Sequence, residues 1–207
     1  MLYTETVYPK TLELLKKLQS LNSFKHFALA GGTGLSLYFG HRISIDLDFF
    51  IHTDFNVDEV VLELNKQFDK KELHIINQSK NSLLLSINDV KVDILAHQYP
   101  LINKPNKMEG ISLYSKKDIL AMKLNALANR GTKKDFFDIY ESLQHYSLTE
   151  ILEFFKLKYV NNDTLYIIRS LIYFEDAELD LDPVMIKNYD WETVKAFLVK
   201  TINTYLD

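Results

Sequence analysis

Residues 30–50 read AGGTGLSLYFGHRISIDLDFF and are the most telling segment of the chain. It opens on Gly31-Gly32-Thr33 and closes on an apolar run that contains Asp46 and Asp48. Side chains alternate along a strand, so Asp46 and Asp48 share one face and Leu47 takes the other. Two carboxylates side by side at the end of a buried strand repel each other and lose hydration. A divalent cation removes that penalty, and oxygen-only ligands suit Mg²⁺ or Mn²⁺. Gly31 and Gly32 permit close backbone approach, and the helix predicted after them offers free N–H groups to a phosphate. Metal-binding carboxylates beside a phosphate cradle point to nucleotidyl or phosphoryl transfer.

Outward from this stretch, the periodicity predicts a helix at 33–39, ended by Gly40, and the acid-bearing strand at 43–50. Upstream, Leu14, Leu18 and Leu21 mark a helix at 11–21, and 27–30 is a short strand. Downstream, Val61, Leu64 and Phe68 mark a helix at 58–68. Strands follow at 73–79, 82–87 and 90–96, with Asn88-Asp89 as a two-residue turn. Residues 99–110 contain Pro100, Pro105 and Gly110 and read as a linker. Beyond it, Ser115-x-x-Asp118 opens a helix running to 129, and Thr132-x-x-Asp135 opens another running to about 146. Further helices are expected at 148–159, 164–174 and 191–205. The chain is therefore α+β: a mixed half at 1–98, the linker at 99–110, and an all-helical half at 111–207.

Asp93 is the third candidate acid. In Lys91-Val92-Asp93-Ile94-Leu95 it sits mid-strand, where Asp is disfavoured unless something binds it. With Asp46 and Asp48 it would complete a three-carboxylate cage for metal. Among the cations, Lys123, Arg130 and Lys134 are spaced seven and four apart. Lys123 lies amid Leu120, Leu124 and Leu127, either as a site cation or as a snorkelling stem. Asp135 and Asp138 share a helix face, and Asp135 suits the first turn, where a carboxylate meets free N–H groups. His26, His52, His74, His97 and His145 have no metal-ligand spacing, and no Ser or Cys stands in a nucleophile motif.

The 207 residues are 47% hydrophobic, enough for a normal globular core. No apolar stretch is long enough to span a membrane, and the N-terminus lacks a signal peptide's apolar run. The absence of cysteine excludes disulfides and thiolate metal sites and suits a cytoplasmic enzyme. Net charge is −4, but it is unevenly spread. Residues 100–134 carry eight Lys and Arg against Glu109 and Asp118, whereas 175–190 carry six acids against Lys187. A basic face on an acidic protein can steer an anionic ligand, though a charge run is often only a solvated surface.

The blocks Gly31-Gly32-Thr33, His41-Arg42, Ser44, Asp46 and Asp48-Phe49-Phe50 resemble the AbiEii/AbiGii nucleotidyltransferase toxin family of the DNA polymerase β-like superfamily. The resemblance continues through Lys91-Val92-Asp93-Ile94-Leu95, Lys123-Leu124-Asn125-Ala126-Leu127, Arg130 and Lys134-Asp135-Phe136-Phe137-Asp138. It implies a small mixed-sheet nucleotidyltransferase core followed by a helical domain that closes one wall of a cleft. Asp46 and Asp48 would hold metals on the nucleotide phosphates, and Asp93 would share the catalytic one. Gly31, Gly32 and the Thr33 hydroxyl would contact phosphate, with Arg42, Lys123 and Arg130 as further nucleotide-binding residues. Arg42 would pair with a phosphate or an acid, and His41 is given no role as a base. Lys134, Asp135 and Asp138 would support, Asp138 by pairing with Lys123 or Arg130.

The resemblance implies an NTP donor and an RNA acceptor, a tRNA 3′ end being one candidate. It also implies a toxin with a cognate antitoxin. Two other readings stand beside it. The acceptor could be a small cationic molecule such as an aminoglycoside, drawn by the acidic 175–190 run. The chain could instead be a non-catalytic nucleotide- or partner-binding module, which the three acids argue against.

Overall fold

A computed structural model describes residues 1–160 and 163–207. Helix α1 (Pro9–Gln19) has Pro at its start, where the missing N–H matters least. A two-residue strand β1 (Ala28–Leu29) leads into α2 (Gly31–Phe39), which ends at Gly40 with φ +68°. Strand β2 (Leu47–Ile51) follows, then α3 (Val57–Gln67), capped by Asn56. The strands β3 (Leu73–Ser79), β4 (Ser82–Ile87) and β5 (Val90–Ala96) fall where alternation predicts them. Asn88 and Asp89 both have positive φ, 50° and 64°, as a two-residue hairpin turn requires.

The acid-bearing strand is shorter than the expected 43–50. The Ile43 and Ser44 N–H groups bond to Val184 O and Thr6 O, so this segment leaves the sheet before Leu47. The expected linker at 99–110 also needs correction. It contains β6 (Asn106–Met108), which pairs with β7 (Ile111–Leu113), and β7 runs parallel to β1. Both join one sheet in the order β3-β4-β5-β2-β1-β7-β6. The linker's start is fixed as well, because Asp118 accepts from the backbone N–H of Ile102 and Asn103 at 3.0 Å each. Three-residue strands are too short to leave an alternation signal.

The helical half begins at α4 (Lys116–Arg130), capped by Ser115, and continues as α5 (Lys133–Leu143) and α6 (Leu148–Lys158). Helices α7 (Thr164–Ser170) and α8 (Trp191–Leu206) complete it. Helix α7 stops four residues short of expectation. The chain turns there so that Phe174 can pack on Phe136 and Trp191, with ring centroids 5.1 and 5.6 Å away. One hydrophobic core joins the two halves, from Leu15 and Phe49 through Leu124 and Phe136 to Leu198. No helix among the described residues is long and apolar enough to cross a membrane.

The sheet has two unlike faces. Leu47, Phe49 and Ile51 are buried, and Phe49 meets Phe24 edge-on at 5.1 Å. Asp48 and Phe50 alternate onto the other, half-buried face. That face carries the candidate chemistry.

Candidate active site

Strands β2 and β5 are parallel neighbours, and their register sets Asp48 directly beside Asp93. Adjacent strands lie about 4.8 Å apart, so the two carboxylates share one face at close range. Asp46 lies just ahead of β2 in the same alternation. Burial pushes the Asp48 carboxyl up to about 6, and the charges of Asp93 and Asp46 add to the shift. Asp93 Oδ2 accepts from Lys91 Nζ at 2.8 Å, while its Oδ1 is buried without a hydrogen-bond partner among the described residues. Asp46 Oδ2 is 3.8 Å from Lys134 Nζ.

The three acids fit a hard divalent cation by donor type. One buried carboxylate oxygen is orphaned, one carboxyl is destabilised as an anion, and all donors are oxygen. Among the described residues, no three His, Cys, Asp or Glu side chains are drawn tightly enough to hold an ion by themselves. The expected closed three-acid cage is therefore not preformed. Lys91 contacts Asp93 and Lys134 contacts Asp46, and like-charge repulsion disfavours a tighter metal-free set. Mg²⁺ is commonly held by one or two carboxylates plus substrate phosphates, so an open set remains suitable.

The double glycine proves to be a packing device. Gly31 has φ +61°, and a Cβ there would lie 2.0 Å from Asp48 Oδ2. A Cβ on Gly32 would lie 2.4 Å from Arg42 Nη2. The start of α2 thus presses against Asp48 on one side and Arg42 on the other. Gly31→Ala is expected to push the Asp48 carboxylate out of place and reduce transfer at least 100-fold. Its backbone strain of about 1–2 kcal/mol should lower the melting temperature by only a few degrees. A measured rate within threefold of wild type would show that the contact does not matter.

Thr33 differs from expectation. Its hydroxyl is fully buried, bonding to Ser44 Oγ at 2.8 Å and to the Asp46 carbonyl, so it fastens the acid segment and cannot meet a phosphate. Arg42 is likewise engaged inside the protein. Its Nε donates to Asp138 Oδ1 at 2.7 Å and its Nη2 to Asp138 Oδ2 at 2.9 Å, a bidentate pair. His41 Nε2 lies 2.7 Å from the same Oδ1. An ionised carboxylate can only accept, so Nε2 carries the proton.

Lys123 sits between the two acids of α5, with Nζ 2.8 Å from both Asp135 Oδ1 and Asp138 Oδ2. It is buried, so it neither snorkels nor lines an open groove toward the phosphates. The expected direct contact gives way to an internal clamp, because Asp135 and Asp138 are three apart on one helix face and bracket it. Arg130 completes the network, with Nε and Nη2 donating to Asp135 at 2.9 and 3.0 Å and half its side chain exposed. Burial alone would raise Asp135 and Asp138. The charges of Arg42, Lys123 and Arg130 outweigh it and hold both carboxyls below their ordinary range. Asp138 pairs with Arg42, His41 and Lys123, and the expected partnership with Arg130 belongs to Asp135.

This leaves Lys134 and Arg130 as the partly exposed cations of the expected set beside the acids. Lys91 was not assigned a role by sequence reasoning, although its alternation with Asp93 placed it on the right face. Residues Asp180 and Asp182 were also missed here. They line a cavity of about 570 Å³ with Asp46, Lys134 and Arg42. No local signal could link them to Asp46, 134 residues or more away.

The comparisons with known proteins agree with this fold. A curated protein of Aquifex aeolicus (strain VF5), described as uncharacterized, is 36% identical over 204 residues, covering 94% of this chain and 95% of its own. The crystal structure of JHP933 from Helicobacter pylori matches with TM-score 0.60 and 20% identity, over 94% of this chain and 88% of that one. MenT4, a nucleotidyltransferase toxin from Mycobacterium tuberculosis H37Rv, matches with TM-score 0.60 and 16% identity, over 94% and 80%. At such identities the two structures speak for the fold. The sequence model described as nucleotidyl transferase AbiEii toxin, type IV TA system, matches residues 13–204, and by that match the chain belongs to the AbiEii nucleotidyltransferase toxin family.

Proposed function

We propose that this nucleotidyltransferase moves an NMP group from an NTP to a hydroxyl of RNA, with a tRNA 3′ end as the expected acceptor. In this reading the chain is the toxin of a pair and has a cognate antitoxin. The observation that carries it is the juxtaposition of Asp48 and Asp93 under the Gly31 turn, with Asp93 Oδ1 unpartnered. Asp46, Asp48 and Asp93 are the residues that would hold Mg²⁺ or Mn²⁺. When bound, such ions neutralise phosphate charge and polarise the reacting phosphorus.

The chain's own residues do the rest. The N–H groups at the start of α2 meet a phosphate, helped by the helix dipole. Lys134 and the outer part of Arg130 add charge from the helical side. The acceptor oxygen attacks the α-phosphorus, its bond to pyrophosphate breaks, and the hydroxyl proton passes to Asp93 Oδ1. The network of Asp135, Asp138, Lys123, Arg42 and His41 holds α5 against the acid segment and so positions Lys134 and Arg130.

RNA is favoured over a small cationic acceptor because part of the acidic run is already engaged within the protein. Asp180 accepts from the Lys133 N–H, Asp182 pairs with Lys133 Nζ at 3.1 Å, and Glu178 pairs with Lys195 at 2.7 Å. The basic stretch also shrinks, since Lys123 and Lys133 are buried. About 4 phosphate contacts at a slope near −0.7 each would cost roughly 50-fold in RNA affinity for a fourfold rise in salt. Labelled NTPs incubated with total RNA, and separately with an aminoglycoside panel, test the reading. Label on RNA supports it. Label on the drug alone overturns it, and label on neither points to a binding module.

A further inference from the structure

A groove of about 500 Å³ lies between the end of α4 and α7, lined by Asn129, Arg130, Tyr166, Arg169, Tyr173 and Asp176. Tyr166, Arg169 and Tyr173 recur at helical spacing along one face of α7 and the turn that extends it. All three are exposed, Tyr166 at 53% and Tyr173 at 50%. Aromatic rings that serve a core are buried, as Phe136 and Phe137 are nearby. Tyr166 is also fixed in place, because its hydroxyl donates to the Ala128 carbonyl. Arg169 enters none of the ion pairs among the described residues.

One residue joins the groove to the ion-pair network beside the acids: Arg130 lines it and bonds Asp135 with Nε and Nη2. We propose that this groove binds a single-stranded segment of the acceptor RNA. Its bases stack on Tyr166 and Tyr173, its phosphates meet Arg169 and Arg130, and its terminal hydroxyl is led to Asp93. The proposal rests on the RNA-acceptor reading above and assigns where that acceptor lies.

The chemistry argues for single-stranded nucleic acid over other occupants. Alternating aromatic and Arg side chains are the usual platform for unpaired bases and a phosphate backbone. The groove has the volume of a small-ligand cleft, too small to admit a duplex. Asp176 on its wall can accept from base amino groups, as carboxylates do on exposed base edges. A protein partner would call for a larger surface than this groove offers.

The full chain supplies the test. Fluorescein-labelled single-stranded RNA is titrated by anisotropy into wild type, Tyr166→Ala, Tyr173→Ala and Arg169→Glu, with a duplex of the same sequence as comparison. Each Tyr variant is expected to weaken single-strand binding about tenfold. Arg169→Glu is expected to weaken it similarly and to lower the salt slope by about 0.7. Metal-dependent NTP affinity should stay at the wild-type value in all of them, and the melting temperature should stay within a few degrees, the Tyr166 variant losing one hydrogen bond. Wild-type binding that the three variants leave unchanged would overturn the groove and spare the RNA reading. No binding or labelling of RNA by wild type would overturn both, and equal affinity for the duplex would overturn the single-strand assignment.

Discussion

Asp48→Asn is expected to abolish nucleotidyl transfer and, at the same time, to raise the melting temperature of the metal-free protein. The loss follows from removing the most confined carboxylate of the set, which lies beside Asp93 and beneath the Gly31 turn. Losing several kcal/mol of phosphate stabilisation corresponds to about 10³-fold or more in rate. The gain in stability follows from its raised carboxyl, at about 6. Between pH 4 and 6 the folded state binds the proton and the unfolded state releases it, so stability falls as pH rises through this window. Two units correspond to about 3 kcal/mol at most, present at low pH and missing at pH 8. Asn carries no charge, so the variant should melt roughly 5 °C higher at pH 8 and show little difference at pH 4. Melting curves without metal at the two pH values decide this, and a variant less stable at pH 8 would contradict the burial of an uncompensated charge.

Asp138→Ala has the opposite signature. It removes the carboxylate that Arg42, His41 and Lys123 share, all of them buried, leaving Arg42 with no ion pair among the described residues and Lys123 with Asp135 alone. Stranding buried cations costs about 3–5 kcal/mol, so the melting temperature should drop by roughly 10–15 °C. Transfer should also fall, because α5 loses its hold on the His41–Ser44 segment. The wild-type pH response follows from the same charges. Asp135 and Asp138 are held low, so their contribution is complete above the unfolded value near 4 and is lost as pH falls below it. Together with Asp48, this predicts a stability maximum for the metal-free protein near pH 5. Asp138→Ala should lose part of the acid-side decline, and Asp48→Asn the decline above pH 5. A wild-type profile that rises steadily from pH 5 to 8 would contradict both assignments.

What was legible in the sequence was whatever local periodicity encodes. Alternation placed β3, β4 and β5 and grouped Asp93 with Lys91 on one face of β5, whereas the parallel register with β2 is what sets Asp93 beside Asp48. The Ser115 cap, the Asn88-Asp89 turn and the Gly40 stop were equally local. The strands β6 and β7 were not legible, since three residues carry no period and their place beside β1 is set by tertiary pairing.

Residue types at fixed spacings were enough to give the family and to single out three candidate acids, because such spacings survive whatever the rest of the chain does. Only the tertiary structure decided how the charges are distributed between work and support. Thr33 and Lys123 read as phosphate ligands and Arg42 as a partner for a phosphate or an acid, yet each is buried against a protein partner 11 to 96 residues away. A polar group withdrawn from water must be satisfied by whatever the fold brings beside it. Those partners, Ser44, Asp138 and Asp135, come from segments that meet only when α4 and α5 close over the acid-bearing turn.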